Sequence, residues 1–410
     1  MRLLYTFSIF LYHTGIQIAS LFHPKAKDAI KGRKNLLPLL EEKFTEKKKT
    51  IWIHCASLGE FEQARPLLEQ IKKQQPNKRV LLTFFSPSGY KIQKNYNGVD
   101  IVSYLPFDYP KTARKFLEVV QPDYAIFIKY EFWFNFLNSL KKKNIPTYLA
   151  SGIFWPQQHF FKFYGRWFAK QLSAFNHFFV QNKTSKLLLQ GIGYQNISIS
   201  GDSRFDRVIE LSKEPIKDKR LSTFSPKNTA IIFGSSWEKE DELAKIASKN
   251  FHSEKIIIAP HEISPEKMQQ LKASFQNAIL WSETSNTDDL SSFQVLIIDK
   301  IGLLSKVYRY GKVALIGGGF GAGIHNALEA AVYGCPLLFG PNYQRFQEAL
   351  DLIQIGAAKV IHNESDFLQM LKTYLENNTQ RMEASDKAKK YVVKNAGATA
   401  LIYNRIFHKI

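Results

Sequence analysis

The chain is poor in cysteine, in methionine and in negative charge. Its 410 residues include two Cys and four Met. Cys55 and Cys335 each sit inside an apolar run, which excludes a disulfide framework and zinc-ligand spacing and points to a reducing compartment. Asp and Glu number 36 against 56 Lys and Arg, a formal charge of +20 and a pI near 9.6. A hydrophobic share of 45% and a charged share of 22% exclude a disordered polycation, a collagen-like chain and a polytopic membrane protein. No repeat or low-complexity tract occurs. The length exceeds what one core usually organises, so two domains are expected. The charge is uneven: residues 1–200 carry 29 basic and 12 acidic side chains, net +17, and residues 201–410 carry 27 and 24, net +3. The first half therefore faces something anionic: nucleic acid, a membrane surface or a phosphorylated substrate.

Charge is also missing from Leu3 to Phe22, a run with no Asp, Glu, Lys or Arg, long enough to span a bilayer as a helix. A cleaved signal peptide is disfavoured, because Ile18-Ala19-Ser20-Leu21-Phe22 leads into bulky residues and His23-Pro24. Thr6, His13, Gln17 and Ser20 share one polar stripe on a helical wheel, which suits an interfacial or membrane-dipping helix better than a lone span. Lys25, Lys27, Lys31, Arg33 and Lys34 follow, a cluster that would be drawn to anionic headgroups of a cytoplasmic leaflet. A core helix of a soluble domain is the alternative.

Beyond residue 50 strand-like and helical runs alternate with short links, the pattern of parallel sheets wrapped by helices. Expected strands are Ile51–His54, Val80–Phe84, Ile101–Leu105, Tyr124–Ile128, Thr147–Ala150, Phe178–Val180 and Ile197–Ser200, with helices including Phe61–Lys73, Tyr109–Val120, Phe132–Lys143 and Phe160–Leu172. The polar stretch Ser212–Asn228, with Pro215 and Pro226, reads as a linker. A second series has strands at Ala230–Phe233, Lys255–Ala259, Val295–Ile298, Val313–Ile316, Pro336–Phe339 and Lys359–Ile361, helices including Glu238–Lys249 and Ala327–Tyr333, and a helical tail. The expected division is an anchoring helix 1–24, a first domain 25–211, a linker 212–228, a second domain 229–395 and a final helix 396–410 that could pack back on the first domain. Two doubly wound Rossmann-like domains would face each other across a cleft at the carboxyl ends of their strands.

Chemistry is expected where strands end. After the first strand, Ser57-Leu58-Gly59-Glu60 opens a helix. Glu60 reads equally as a base facing the cleft and as the N3 residue of a capping box with Ser57. As a base it would need burial or a partner to offset the helix N-terminus, which lowers a carboxylate pKa. Ser86-Pro87-Ser88-Gly89 is a turn that could also admit a ligand. Glu131 could orient a polyol or cap the next helix. In the second domain Gly234-Ser235-Ser236 and the turn Gly317–Gly323 before His325-Asn326-Ala327-Leu328-Glu329 could bring backbone N–H groups to a phosphate, or serve packing alone. His261 could meet an anionic group or rest in solvent. The Lys-Ser/Thr of a P-loop and the Gly-x-Gly-x-x-Gly spacing are both missing, which disfavours an ATPase and a dinucleotide dehydrogenase.

Trp52-Ile53-His54 through Glu60, Pro106-Phe107-Asp108, Glu131-Phe132-Trp133-Phe134-Asn135, Gly201-Asp202-Ser203-Arg204-Phe205-Asp206, Gly234-Ser235-Ser236, Ala259-Pro260-His261 and His325–Glu329 resemble, in order, the Kdo transferases of lipopolysaccharide synthesis. The resemblance implies an α/β GT-B fold that moves 3-deoxy-D-manno-octulosonic acid (Kdo) from CMP-Kdo to a phosphorylated lipid A precursor, with inversion, at the cytoplasmic face of the inner membrane. It implies Glu60 as general base. Donor contacts would fall on Pro260, His261, Ile301, Gly302, Leu303, Asn326, Ala327, Leu328 and Glu329, with Gly234, Ser235, Gly318 and Gly319 near the phosphate or sugar. Ser57, Gly59, Ser88, Glu131 and Arg204 would lie on the acceptor side. No metal and no cofactor is implied, since the donor carries one phosphate and the chain has no Asp-x-Asp. The chain departs from the family where Pro260-His261-Glu262 replaces Pro-Arg-His, Gly302-Leu303-Leu304 replaces Gly-Glu-Leu, Ala150-Ser151-Gly152 replaces Asn-Ala-Arg, and Lys129 stands where Glu is frequent. Arg204 or main-chain N–H groups would then supply the missing phosphate stabilisation. Expected partners are CMP-Kdo, the lipid A precursor and anionic inner-membrane lipids. Nucleic acid is not among them, because no nucleic-acid module accompanies the charge. The alternative enzyme is a GT-B transferase using another nucleotide sugar and a membrane lipid acceptor.

Overall fold

The computed structural model describes residues 1–214, 218–226 and 228–408, and the chain divides into two compact units, 1–207 with 396–410 and 208–395. The first contains helices α1 (Arg2–Ala19), α2 (Pro24–Lys31), α3 (Leu36–Lys43), α4 (Leu58–Gln74), α5 (Pro87–Gln93), α6 (Pro110–Val120) and α7 (Phe134–Lys142). Its strands are β1 (Thr50–Cys55), β2 (Arg79–Phe84), β3 (Ile101–Tyr104), β4 (Tyr124–Ile128), β5 (Thr147–Gly152), β6 (His177–Val180) and β7 (Ile197–Ile199). They form one parallel sheet in the order β3-β2-β1-β4-β5-β6-β7. The order reverses between β1 and β4, so a crevice opens at their carboxyl ends.

Because strand side chains alternate, each strand feeds two cores. On one face Trp52, Leu81, Phe127 and Leu149 pack with Phe116 and Phe136. On the other, Ile51, Ile53, Leu82 and Ile126 pack with Phe61 and Leu68 of α4. The carboxyl-terminal helix Ala398–Phe407 completes this second face through Ile402, Tyr403 and Ile406. Its start is held by Asp206, whose carboxylate accepts from Gly397 N, Thr399 N and Thr399 Oγ1 at 2.6, 2.8 and 2.7 Å.

The second unit repeats the plan with β8 (Ala230–Ser236), β9 (Lys255–Pro260), β10 (Ala278–Leu280), β11 (Val295–Ile297), β12 (Gly311–Ile316), β13 (Leu337–Phe339) and β14 (Ala358–Val360), ordered β10-β11-β9-β8-β12-β13-β14 and parallel throughout. Edge strand β10, three residues long, is too short to show a pattern in sequence.

Several expectations are corrected. The stretch read as a linker contains the helix Lys219–Phe224, whose Leu221 and Phe224 are buried, and the units divide after Arg207. Pro215 lies outside the described residues. The expected helix Phe160–Leu172 is broken, with only Arg166–Gln171 α-helical. A side chain at Gly165 would collide with the His159 carbonyl, so the chain turns there. At the amino terminus no helix among the described residues is long and apolar enough to cross a membrane, which removes the spanning form of the anchor. The amino-terminal part of the polar stripe of α1 faces the first unit: Asn135 Nδ2 donates to Thr6 Oγ1 at 3.4 Å and His13 Nδ1 lies 2.9 Å from Tyr109 Oη, while Gln17 is exposed. Tyr5 Oη donates to buried Asp108 at 2.6 Å. Leu3, Leu4, Phe7, Phe10, Leu11 and Ile18 are turned to solvent instead.

Candidate active site

In the first unit the loops after β1, β2 and β4 converge. Ser57 caps α4, its Oγ accepting from Glu60 N at 3.4 Å. The Glu60 side chain folds back and accepts the Ala56 N–H. Glu60 thus does perform a capping role, but it is also 4% exposed. Burial, and then the charge of Glu131, push its carboxyl up to about 8, against the opposing pull of the Ala56 and Ser57 hydrogen bonds and of Lys129. Desolvation outweighs the helix N-terminus, which is the condition a basic Glu60 required.

Glu131 stands 3.6 Å from His54 Nε2. Trp133 Nε1, which can only donate, gives its proton to that same nitrogen at 3.0 Å. The neutral ring therefore carries its proton on Nδ1 and donates to Thr83 Oγ1 at 2.9 Å, where Trp52 Nε1 also donates at 2.8 Å. This buried relay fixes the floor beneath the two glutamates. Lys129, at the end of β4, adopts φ 67°, a left-handed conformation uncommon outside glycine. Ser88 pairs with Ser86 at 2.7 Å, and Ser86 N donates to Ala56 O at 2.7 Å, tying the β2 loop to the β1 loop. A side chain at Gly59 would meet only Ser57 Oγ at 4.0 Å, so the surface beside Glu60 is open. Arg204 is paired within the first unit: its Nη2 lies 2.9 Å from Asp202 Oδ2, and Asp202 also takes the Arg204 N–H and Gln63 Nε2.

The second unit gathers its groups at the ends of β8, β9 and β12. Pro260 closes β9 and His261 follows, its N–H bonded to Ser236 O at 2.9 Å. Trp237, His261 and His325 stack in a column, with ring centroids 4.7 Å apart for the first pair and 4.3 Å for the second. Trp237 Nε1 donates to His325 Nε2 at 3.1 Å. Burial, then His261, pushes His325 down to about 4, so its ring is neutral. Asn326 holds Glu329 at 2.9 Å and accepts from Leu328 N at 3.2 Å. Ala327 and Leu328 are buried beneath them, while Ile301 is exposed and Gly302 takes φ 87°.

The glycines serve packing more than expected. A Cβ on Gly317 would strike Ser235 O, one on Gly319 would strike the Gly340 backbone, and one on Gly234 would strike Tyr308 Oη. Gly318, at φ 85°, gives its N–H to Glu240 Oε1 at 2.9 Å. Glu240 Oε2 takes Trp237 N at 3.0 Å, so one buried carboxylate clamps the turn to the helix Glu238–Asn250. The helix expected over Ala327–Tyr333 is a single turn, Leu328–Ala331, too short to build the dipole invoked for phosphate binding. Glu240 was legible in the sequence only as part of the acidic helix start Glu238, Glu240 and Asp241, and Trp237 not at all, because a strand-end aromatic and an acidic helix start have ordinary structural uses. The small residues before them were the only signal of a site.

Two parallel seven-stranded sheets wrapped by helices, one with a high-pKa carboxylate at a strand end and the other with a glycine turn and stacked imidazoles, define a GT-B-like α/β fold. The fold matches that of UDP-GlcNAc 2-epimerase from Neisseria meningitidis bound to UDP-GlcNAc, with a TM-score of 0.62 at 14% identity over 87% of this chain and 99% of that one. Residues 32–207 match the family described as 3-deoxy-D-manno-octulosonic-acid transferase (kdotransferase). The 3-deoxy-D-manno-octulosonic acid transferase of Chlamydia muridarum is 26% identical over 361 residues, covering 85% of this chain and 83% of its own. That of Rickettsia felis is 28% identical over 389 residues, covering 90% and 80%. Residues 32–207 thus carry a Kdo transferase family domain, and the chain is similar to curated Kdo transferases over most of its length.

Proposed function

We propose that this protein transfers Kdo from CMP-Kdo to a hydroxyl of a phosphorylated lipid A precursor, with inversion. The observation that carries the reading is Glu60: a buried carboxylate at the carboxyl end of β1, pushed up to about 8, in the range where a general base works near neutral pH. The acceptor oxygen forms a bond to the anomeric carbon of Kdo while its proton passes to the Glu60 carboxylate. The bond from that carbon to the donor phosphate oxygen breaks, and CMP leaves as a phosphate monoester. Glu131 keeps Glu60 basic by charge, and Lys129 limits the effect. Pro260, His261, the Trp237 column and Asn326 with Glu329 are assigned to the donor, His261 standing where the family's arginine is missing.

The solvent-facing Leu3, Leu4, Phe7, Phe10 and Leu11 of α1, beside Lys25, Lys27 and Lys31, support attachment in the plane of an anionic membrane, at the inner-membrane cytoplasmic face. The test is mass spectrometry of products formed by the purified protein from CMP-Kdo and a lipid A precursor, with UDP-sugars in parallel. Kdo addition only from CMP-Kdo is expected. Transfer from a UDP-sugar alone would overturn the donor assignment.

A further inference from the structure

Arg33 follows α2 and is mostly buried without an acidic partner. Its Nε donates to Leu105 O at 2.8 Å, Nη1 to Ala29 O at 3.0 Å and Nη2 to Phe85 O at 2.7 Å. Its guanidinium carbon lies 4.5 Å from the centre of the Phe85 ring and 4.8 Å from those of Tyr104 and Phe107. Asp28, the acid of α2, is paired with Lys91 instead. Among the described residues no carboxylate pairs with Arg33, and burial pulls its guanidinium down to about 10.

A buried cation without a counter-charge is costly, and aromatic faces offset only part of that cost. Three of the five guanidinium N–H groups are used, leaving two. Arg33 also lines a pocket of about 280 Å³ that includes His13, Asn35, Pro106, Tyr109 and Thr112 and has no Asp or Glu in its wall. The same helix that supplies His13 turns Phe10 and Leu11 to solvent. Arg33 is linked to the loop of the reactive carboxylate through Phe85: that residue, whose carbonyl it binds, packs against Trp133 with ring centroids 4.4 Å apart, and the next residue, Ser86, donates to Ala56 O. The pocket therefore joins a bare cation, an acid-free wall and an exposed apolar helix.

We propose that the Arg33 pocket is a subsite for the phosphomonoester of an amphiphile whose apolar part lies along the outer face of α1. The inference rests on the phosphorylated-lipid reading above and deepens it by placing one phosphate. Two residual guanidinium N–H groups meet the phosphate oxygens as charge-assisted hydrogen bonds, with Tyr109 and Asn35 beside them.

The test is calorimetric titration of the full chain with octyl phosphate, octyl glucoside and inorganic phosphate. Thr112→Glu sets a carboxylate on the pocket wall in the first turn of α6, where an acid suits the helix N-terminus and the fold is kept. Thr112→Gln controls for size, and Arg33→Met removes the cation. Octyl phosphate is expected to bind at least about tenfold more tightly than octyl glucoside, to weaken by about tenfold or more in Thr112→Glu and Arg33→Met, and to stay within about twofold in Thr112→Gln. Equal binding of the two octyl compounds, or unchanged octyl phosphate binding in Thr112→Glu, would overturn the subsite. Inorganic phosphate binding as tightly as octyl phosphate would overturn the amphiphile and leave only a free-anion site. None of these measurements uses Kdo transfer. A protein that binds octyl phosphate as expected but transfers no Kdo loses the functional reading and keeps the subsite; the reverse result does the opposite.

Discussion

The two units share a plan and differ in where they keep charge. The first half is strongly basic, yet at its strand ends it buries Glu60 and sets Glu131 beside it, and it carries an apolar helix face outward. The second half is nearly neutral and sets a stacked column of one indole and two imidazoles beside a glycine turn at its strand ends. A proton-accepting site needs a carboxylate whose charge is disfavoured, so that a proton is worth taking. A nucleotide pocket needs fixed shape and hydrogen bonds, and little net charge.

The sharpest way to break this contrast is Glu60→Gln, expected to lower transfer by at least about 10²-fold while CMP binding persists; near-normal turnover in a steady-state assay would remove Glu60 from the reaction. Next in size is membrane attachment. Phe7→Ser with Phe10→Ser should shift most of the protein out of vesicle pellets containing anionic lipid, with circular dichroism unchanged, because both side chains face solvent. Deleting residues 1–22 is a poorer test, since Tyr5 and His13 bond to Asp108 and Tyr109 and their loss would leave the buried Asp108 carboxylate with the Asn135 and Phe136 N–H groups but no hydroxyl donor.

The pH profile follows. With its carboxyl near 8, roughly a tenth of Glu60 is ionised at pH 7, so kcat/KM should rise through pH 8. Glu131 raises that value and Lys129 lowers it. Glu131→Gln should therefore move the inflection to lower pH and Lys129→Ala to higher pH; profiles that do not move in opposite directions would dissolve the charge coupling. The same shift bears on stability. A carboxyl whose folded value lies above its unfolded one destabilises the fold when ionised, a cost that grows as pH rises from the unfolded value and is fully present above the folded one. Glu60→Gln should thus melt at a higher temperature than wild type at pH 8.5, with the gap closing toward pH 4.5. The smallest effect is expected in the second unit: Trp237→Phe keeps the stack but deletes the N–H to His325, and should raise the donor KM a few-fold with kcat little changed.

Strand positions were legible in sequence because parallel strands buried on both faces are continuous apolar runs, such as Ile51–His54 and Tyr124–Ile128. Boundaries failed where backbone packing decided them, as at Gly165 and in the single turn Leu328–Ala331. The clustering of Glu60, Glu131, His54 and Trp133 was not legible, since they come from two separate strand-to-helix connections and meet only because β1 and β4 are neighbours in the sheet.

Sequence alone determined the two βα series, the family resemblance, the excess of positive charge and the presence of an acid at the first strand end. Tertiary structure alone decided that Glu60 is buried beside a second carboxylate, that Arg204 pairs with Asp202, that Arg33 lacks a counter-charge, and that Thr6 and His13 of α1 face inward. The division has one physical cause. Periodicity and composition are properties of the local chain, whereas desolvation and charge pairing depend on which distant groups the fold places within a few ångströms.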